Sequence, residues 1–125
     1  MNKIKKPVPI YSTPGDLGAL LVYPYLFNPI GEWIGWVTKS QKIYSVHGHY
    51  VGWLSDEPRI LRKRADDFTH KRRKPPKGPP RIYPPATVPL PPMMADLPFG
   101  IVDVLDEMPE FLPTMDSGDL RDDME

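Results

Sequence analysis

Residues Ile43-Tyr-Ser-Val-His-Gly-His-Tyr-Val-Gly-Trp-Leu54 decide how this chain folds, because the same twelve columns stand twice before them without a gap. The earlier copies are Ile10-Tyr-Ser-Thr-Pro-Gly-Asp-Leu-Gly-Ala-Leu-Leu21 and Leu26-Phe-Asn-Pro-Ile-Gly-Glu-Trp-Ile-Gly-Trp-Val37. Their glycines, Gly15, Gly31 and Gly48, lie 16 and 17 residues apart. Four residues before each glycine is an aromatic (Tyr11, Phe27, Tyr44), preceded by an aliphatic (Ile10, Leu26, Ile43). Four residues after it is a minimal side chain: Ala19, Gly35 and Gly52. Internal repetition at a fixed period sets the architecture before any local propensity does.

Each unit has hairpin chemistry. Asn28-Pro29-Ile30-Gly31 suits a type I turn, with Asn first, Pro second and Gly in a left-handed bulge position. Ser45-Val46-His47-Gly48 reads the same way, while Pro14-Gly15 at the centre of the first unit predicts a type II turn. The flanks are rich in Ile, Val, Tyr and Trp, which suit a pleated surface.

A lone hairpin is marginal in water, so the copies must pack on one another. Along residues 33–37, alternation puts Trp33, Gly35 and Val37 on one face and Ile34 and Trp36 on the other, and both faces are apolar. The recurrent small residue marks where backbones converge. A ring of hairpins with Ala19, Gly35 and Gly52 nearest its axis meets these demands and removes exposed sheet edges. The expectation is an all-β domain of three to four repeated β-hairpins around a pseudo-four-fold axis, over residues 7–71.

This aliphatic-aromatic, turn-glycine, Tyr-Val-Gly-Trp-Leu pattern resembles the four-fold beta flower domain, an uncharacterised bacterial family. The motif covers residues 9 to about 70; the arm and tail agree with the family in composition and order. The resemblance implies four short hairpins about a pseudo-four-fold axis, then a basic, proline-rich arm and a short acidic, apolar segment. It carries over no catalytic or binding residue.

The fourth unit departs from the pattern. Seventeen residues after Ile43 stands Ile60, with Leu61 in the aromatic column, Ala65 in the glycine column and His70 in the tryptophan column. A hairpin around Ala65-Asp66 is one way to complete the ring. If it fails, Leu97–Leu105 can cover the open edge as an added strand or short helix.

The formal charge of zero is a cancellation. Residues 1–58 carry five basic and four acidic side chains, residues 59–81 ten and two, and residues 82–125 one and ten. Ten of the 18 prolines fall between Pro75 and Pro98. Such a segment favours polyproline II, with a solvated backbone, so residues 72–98 read as a basic, proline-rich arm and residues 99–125 as an acidic, apolar tail. Ile101, Val104, Leu105 and Met108 fall at helical spacing within that tail. No stretch of about 20 apolar residues exists to span a bilayer as a helix. The basic first residues lead into no signal-type apolar segment, and the chain is expected in the cytoplasm.

The side chains point away from catalysis. There is no cysteine, which excludes disulfides, thiolate zinc sites and cysteine nucleophiles. His47 and His49 flank a turn glycine with no acid at metal-ligand spacing, so no metal site is expected. Ser12, Ser40, Ser45 and Ser55 sit at turns or hairpin ends without a base and orienting acid. No Gly-rich phosphate loop is present. The reading is a non-enzymatic protein-interaction or scaffold module without a cofactor, whose partner is a protein. Candidate partner-binding residues are Trp33, whose column varies among Leu17, Trp33 and Tyr50, and the basic run Lys71, Arg72, Arg73 and Lys74. The alternatives are non-specific association with nucleic acid or an anionic membrane through residues 59–81, and a small ligand held by the aromatic ring.

Overall fold

The computed structural model describes residues 6–66 and 70–115. It is all-β, with eight strands in one antiparallel sheet whose spatial order is the chain order. The strands are β1 (Val8–Tyr11), β2 (Leu17–Val22), β3 (Tyr25–Phe27), β4 (Trp33–Val37), β5 (Lys42–Ser45), β6 (Tyr50–Leu54), β7 (Ile60–Lys63) and β8 (Ile101–Asp103). One four-residue helix, α1 (Val104–Glu107), follows β8 directly.

Three connections are built alike. Gly15, Gly31 and Gly48 have φ of 102°, 93° and 88°, a region open to glycine at little cost. Each donates its N–H to the carbonyl three residues earlier (Ser12, Asn28, Ser45) at 2.9 Å. The same three residues take a second backbone N–H on a side-chain oxygen: Asp16 to Ser12 Oγ (3.3 Å), Glu32 to Asn28 Oδ1 (2.9 Å) and His49 to Ser45 Oγ (3.2 Å). In each pair the register slips by one just before the turn, after Ile10, Leu26 and Ile43. This is the glycine bulge that feeds a right-twisted hairpin. The first turn thus departs from the type II expectation. Its central residues are Thr13 and Pro14, and Gly15 supplies the left-handed residue ahead of the returning strand, as in the other two.

The local hairpin expected around Ala65-Asp66 is not what completes the sheet. β7 pairs with β8, Leu61 opposite Asp103 and Lys63 opposite Ile101, so the partner strand returns from beyond the proline-rich arm. The segment 64–66 has no glycine for a bulge, and residues 67–69 lie outside those described. Of the added strand or short helix expected within Leu97–Leu105, Ile101–Asp103 is strand, and only from Val104 does the chain turn helical, where the Asp103 carboxylate accepts the Asp106 N–H at 3.4 Å.

The sheet curls until its ends are joined through a connection. Tyr11 N–H donates to Pro58 O at 2.7 Å, bringing β1 to the β6–β7 link. Leu26, Ile43, Val51 and Ile60 fill the interior with Val104 and Leu112 from the returning segment. Ala19 is fully buried. A Cβ at Gly35 would overlap the Tyr44 carbonyl, and one at Gly52 the Leu61 carbonyl. The small column therefore lies where the next strand's backbone passes closest.

Candidate functional site: the arm on the hairpin turns

Residues 71–98 form neither helix nor strand, yet their backbone is tied to the hairpins in a fixed order. Arg73 N–H donates to Gly48 O at 2.9 Å, and Ile82 N–H donates to Gly31 O at 3.0 Å. A Cβ on Gly48 would run into the Arg73 carbonyl and one on Gly31 into the Ile82 carbonyl, so glycine is required here by close approach as well as by φ. One residue earlier in each case, a guanidinium reaches the carbonyl before the glycine: Arg72 to His47 O at 2.7 Å, Arg81 to Ile30 O at 3.0 Å. At the first turn Pro91 stands 3.4 Å from the Cβ position of Gly15, and the Tyr11 hydroxyl donates to Pro89 O. Ala95 N–H then donates to Glu57 Oε2 at 3.1 Å, ahead of β8.

The arm thus visits the third, second and first turns and then the β6–β7 link. Its contact residues, Arg73, Ile82 and Pro91, are nine apart. Nine residues are three turns of polyproline II, so one face returns to the hairpins each time. The arm sequence carries that period, since Arg72-Arg-Lys-Pro-Pro76 recurs as Arg81-Ile-Tyr-Pro-Pro85. This signal lies outside the hairpin repeat and marks the spacing of the arm's contacts, though not the turns they meet. At the third position Leu90 replaces the arginine and Pro91 has no N–H, so the polar half of the contact is missing.

Trp33 is half-buried; its indole N–H donates to Gly35 O at 2.7 Å, and a Cβ on Gly78 of the arm would stand 2.8 Å from its ring. Lys71 and Lys74 are exposed. Arg72 lies on the His47 carbonyl, and the Arg73 guanidinium sits 5.3 Å from the Tyr44 ring centroid, in cation–π range. Tyr44 stacks on Trp36 at 5.3 Å and meets Tyr50 edge-on at 5.8 Å. Burial, then Arg72, then His47 hold the His49 imidazole below its ordinary pKa. Tyr50 is pushed up, first by burial and then by the Asp66 charge.

Of the basic segment, Arg59 and Arg62 are buried. Arg59 pairs with Glu57 and donates to Thr13 Oγ1 at 3.1 Å; Arg62 donates to Val51 O at 2.9 Å. Among the described residues no group of three His, Asp or Glu side chains is placed to hold a metal ion, and no helix is long and apolar enough to cross a membrane. The chain matches no protein-family model, no curated protein and no solved structure.

Proposed function

We propose that this chain is a cytoplasmic, non-enzymatic interaction module. In it four hairpin-like units, the last made by β7 and β8, surround a pseudo-four-fold axis and display the strapped arm to a protein partner. The supporting observation is the arm's outward face. Tyr83, Leu90, Met93 and Phe99 are 94%, 91%, 100% and 88% exposed, while the arm backbone is held at Gly31 through Ile82, at the Tyr11 hydroxyl through Pro89 and at Glu57 through Ala95. Large apolar side chains presented on an ordered segment gain contact area at little entropic cost on binding, and extended proline segments are a standard ligand form for aromatic grooves.

Photo-crosslinking residues introduced at Tyr83 and Met93 of the full chain in cells test this reading. Discrete adducts from these positions, absent with the crosslinker at Lys39 in the β4–β5 turn, support it. An even smear from all three positions, or none, overturns it. The nucleic-acid or membrane reading has less to draw on because Arg59 and Arg62 are buried, while Arg72 and Arg81 stay exposed on turn carbonyls. Adducts that vanish when salt rises through physiological values would restore it.

A further inference from the structure

The arm opens on positive charge that the described residues leave uncompensated. Lys71, Arg72, Arg73, Lys74 and Lys77 are all exposed, and among the described residues none of them makes an ion pair. The groups that hold the two arginines are neutral: Arg72 lies on the His47 carbonyl and the Arg73 guanidinium on the Tyr44 ring. Neither residues 42–54, which hold the third hairpin, nor residues 70–95 contain an Asp or Glu. The acids beside this stretch are Asp66, which faces His70 at 3.4 Å, and Glu110, which lines one cavity with His47, His49 and His70. Five cations less these two and Asp67, the neighbour of Asp66 in sequence, still leave an excess of two.

The chain carries the opposite charge to this same place. Pro113 lines the cavity too, two residues before the last described one, so residues 116–125 set out from beside the third hairpin. They hold Asp116, Asp119, Asp122, Asp123 and Glu125 against Arg121, five acids less one base, an excess of four. Ten residues reach about 36 Å when fully extended and about 17 Å as a flexible coil. Arg72, seated on the carbonyl of a residue that lines the cavity, falls within that span. A short tether keeps its two ends at an effective concentration of about millimolar. Exposed ion pairs, too weak to hold two separate molecules, can then act together within one.

We propose that residues 116–125 fold back onto the start of the arm of their own chain, setting Asp119, Asp122 and Asp123 against Lys71, Arg72, Arg73 and Lys74. The contact neutralises the basic stretch. It lies upstream of Tyr83 and does not depend on a protein partner at the arm's outward face.

Paramagnetic relaxation in the full chain tests the proposal. The sequence has no cysteine, so Met124→Cys carries a single nitroxide. At about 0.05 M salt the label is expected to broaden the amides of residues 71–74 and to spare Lys39, at the other end of β5. Asp119→Asn, Asp122→Asn and Asp123→Asn together should reduce that broadening about threefold, and so should raising salt to about 0.5 M. Lys71→Glu with Lys74→Glu should abolish it, and adding Asp122→Lys with Asp123→Lys should bring it back. Amide shifts of β5 and β6 that stay in place show that these variants fold. Broadening indifferent to salt and to the asparagine changes, or none at residues 71–74, would overturn the contact. So would broadening of an isotope-labelled chain by a spin-labelled copy mixed with it, since the segment would then reach a second molecule.

Discussion

Thr13 gives both its backbone N–H and its hydroxyl to one carboxylate oxygen of Asp103, each at 2.6 Å. The two residues are 90 positions apart; one sits in the first turn and the other ends β8. Asp103 is buried and also caps α1, so three donors converge on one carboxylate. This contact joins the first turn to the end of the last strand where no ladder does, and the Tyr11–Pro58 hydrogen bond ties β1 to the β6–β7 link. Asp103→Ala removes a buried, charged acceptor from three donors, and a hydrogen bond to a charged group is worth about 1.5–3 kcal/mol, part of which the exposed Thr13 recovers from water. The expected loss is about 2–4 kcal/mol by urea denaturation, with faster amide exchange at Thr13 and in β8. Asp103→Asn should lose less, since it keeps an acceptor oxygen.

The three turn glycines are expected to differ despite their common φ. Alanine at any of them bears the cost of a left-handed residue, about 1–2 kcal/mol. At Gly31 and Gly48 the new methyl also displaces the arm carbonyl, so amide exchange at Ile82 or Arg73 should accelerate along with the loss of stability. At Gly15 the nearest arm atom is Pro91 Cγ at 3.4 Å, an ordinary contact, and the arm should stay in place. Exchange rates that rise equally in all three variants would contradict the close approach.

Gln41 occupies in the Thr38–Lys42 turn the place that glycine holds in the other three, with φ of 70°. Its N–H donates to Thr38 O at 2.9 Å and Thr38 N–H to Lys42 O at 2.8 Å, so the geometry is shared and only the residue is unsuited. Gln41→Gly should raise stability by roughly 0.5–1 kcal/mol, the left-handed cost removed less the added freedom of the unfolded chain. Thermal melts of the two proteins decide it.

How far the sequence reaches depends on where each segment finds its hydrogen-bond partners. The turns at Gly15, Gly31 and Gly48 are legible because Ser, Asn, Pro and Gly act within four residues of one another. The small column at Ala19, Gly35 and Gly52 is legible because close backbone approach leaves a mark on residue size. β8 is legible only as an alternative, since Ile101, Val102 and Val104 suit either element and pairing to β7 across the arm decides between them. The arm's path is hidden for a different reason: a proline segment makes its contacts through backbone groups and carries no apolar periodicity. Only Arg72 and Arg81, nine residues apart before Pro-Pro, betray it. His70 packs on the Tyr50 ring, a contact no local spacing encodes.

Tyr50 and His49 each add a pH dependence to stability, and their signs are opposite. Tyr50 is raised above its ordinary 10.0, so the folded chain holds that proton more tightly than the unfolded one. Its contribution is complete below pH 10.0 and is lost as pH rises through the folded value. His49 is lowered from 6.5, so the folded chain binds its proton more weakly. That contribution is complete above pH 6.5 and is lost as pH falls through the folded value. Denaturant midpoints measured against pH should therefore show a plateau between the two. Tyr50→Phe should flatten the alkaline limb without moving the acid one, and His49→Gln should flatten part of the acid limb.

The nine-residue spacing of the arm makes a prediction about length that composition alone does not. In a three-fold polyproline helix, deleting one residue between Lys74 and Pro80 turns everything beyond it by about 120°. Ile82 then presents a different face to Gly31, and both its N–H and the Arg81 guanidinium miss their carbonyls. Deleting three residues restores the face and shortens the path by about 9 Å, which the unpinned stretches on either side can absorb in part. The single deletion should therefore expose Ile82 to amide exchange more than the triple deletion does. Arg73 on Gly48, upstream of both changes, should keep its protection. If exchange at Ile82 simply grows with the number of residues removed, the arm is held by its length and the matched faces have no part in it.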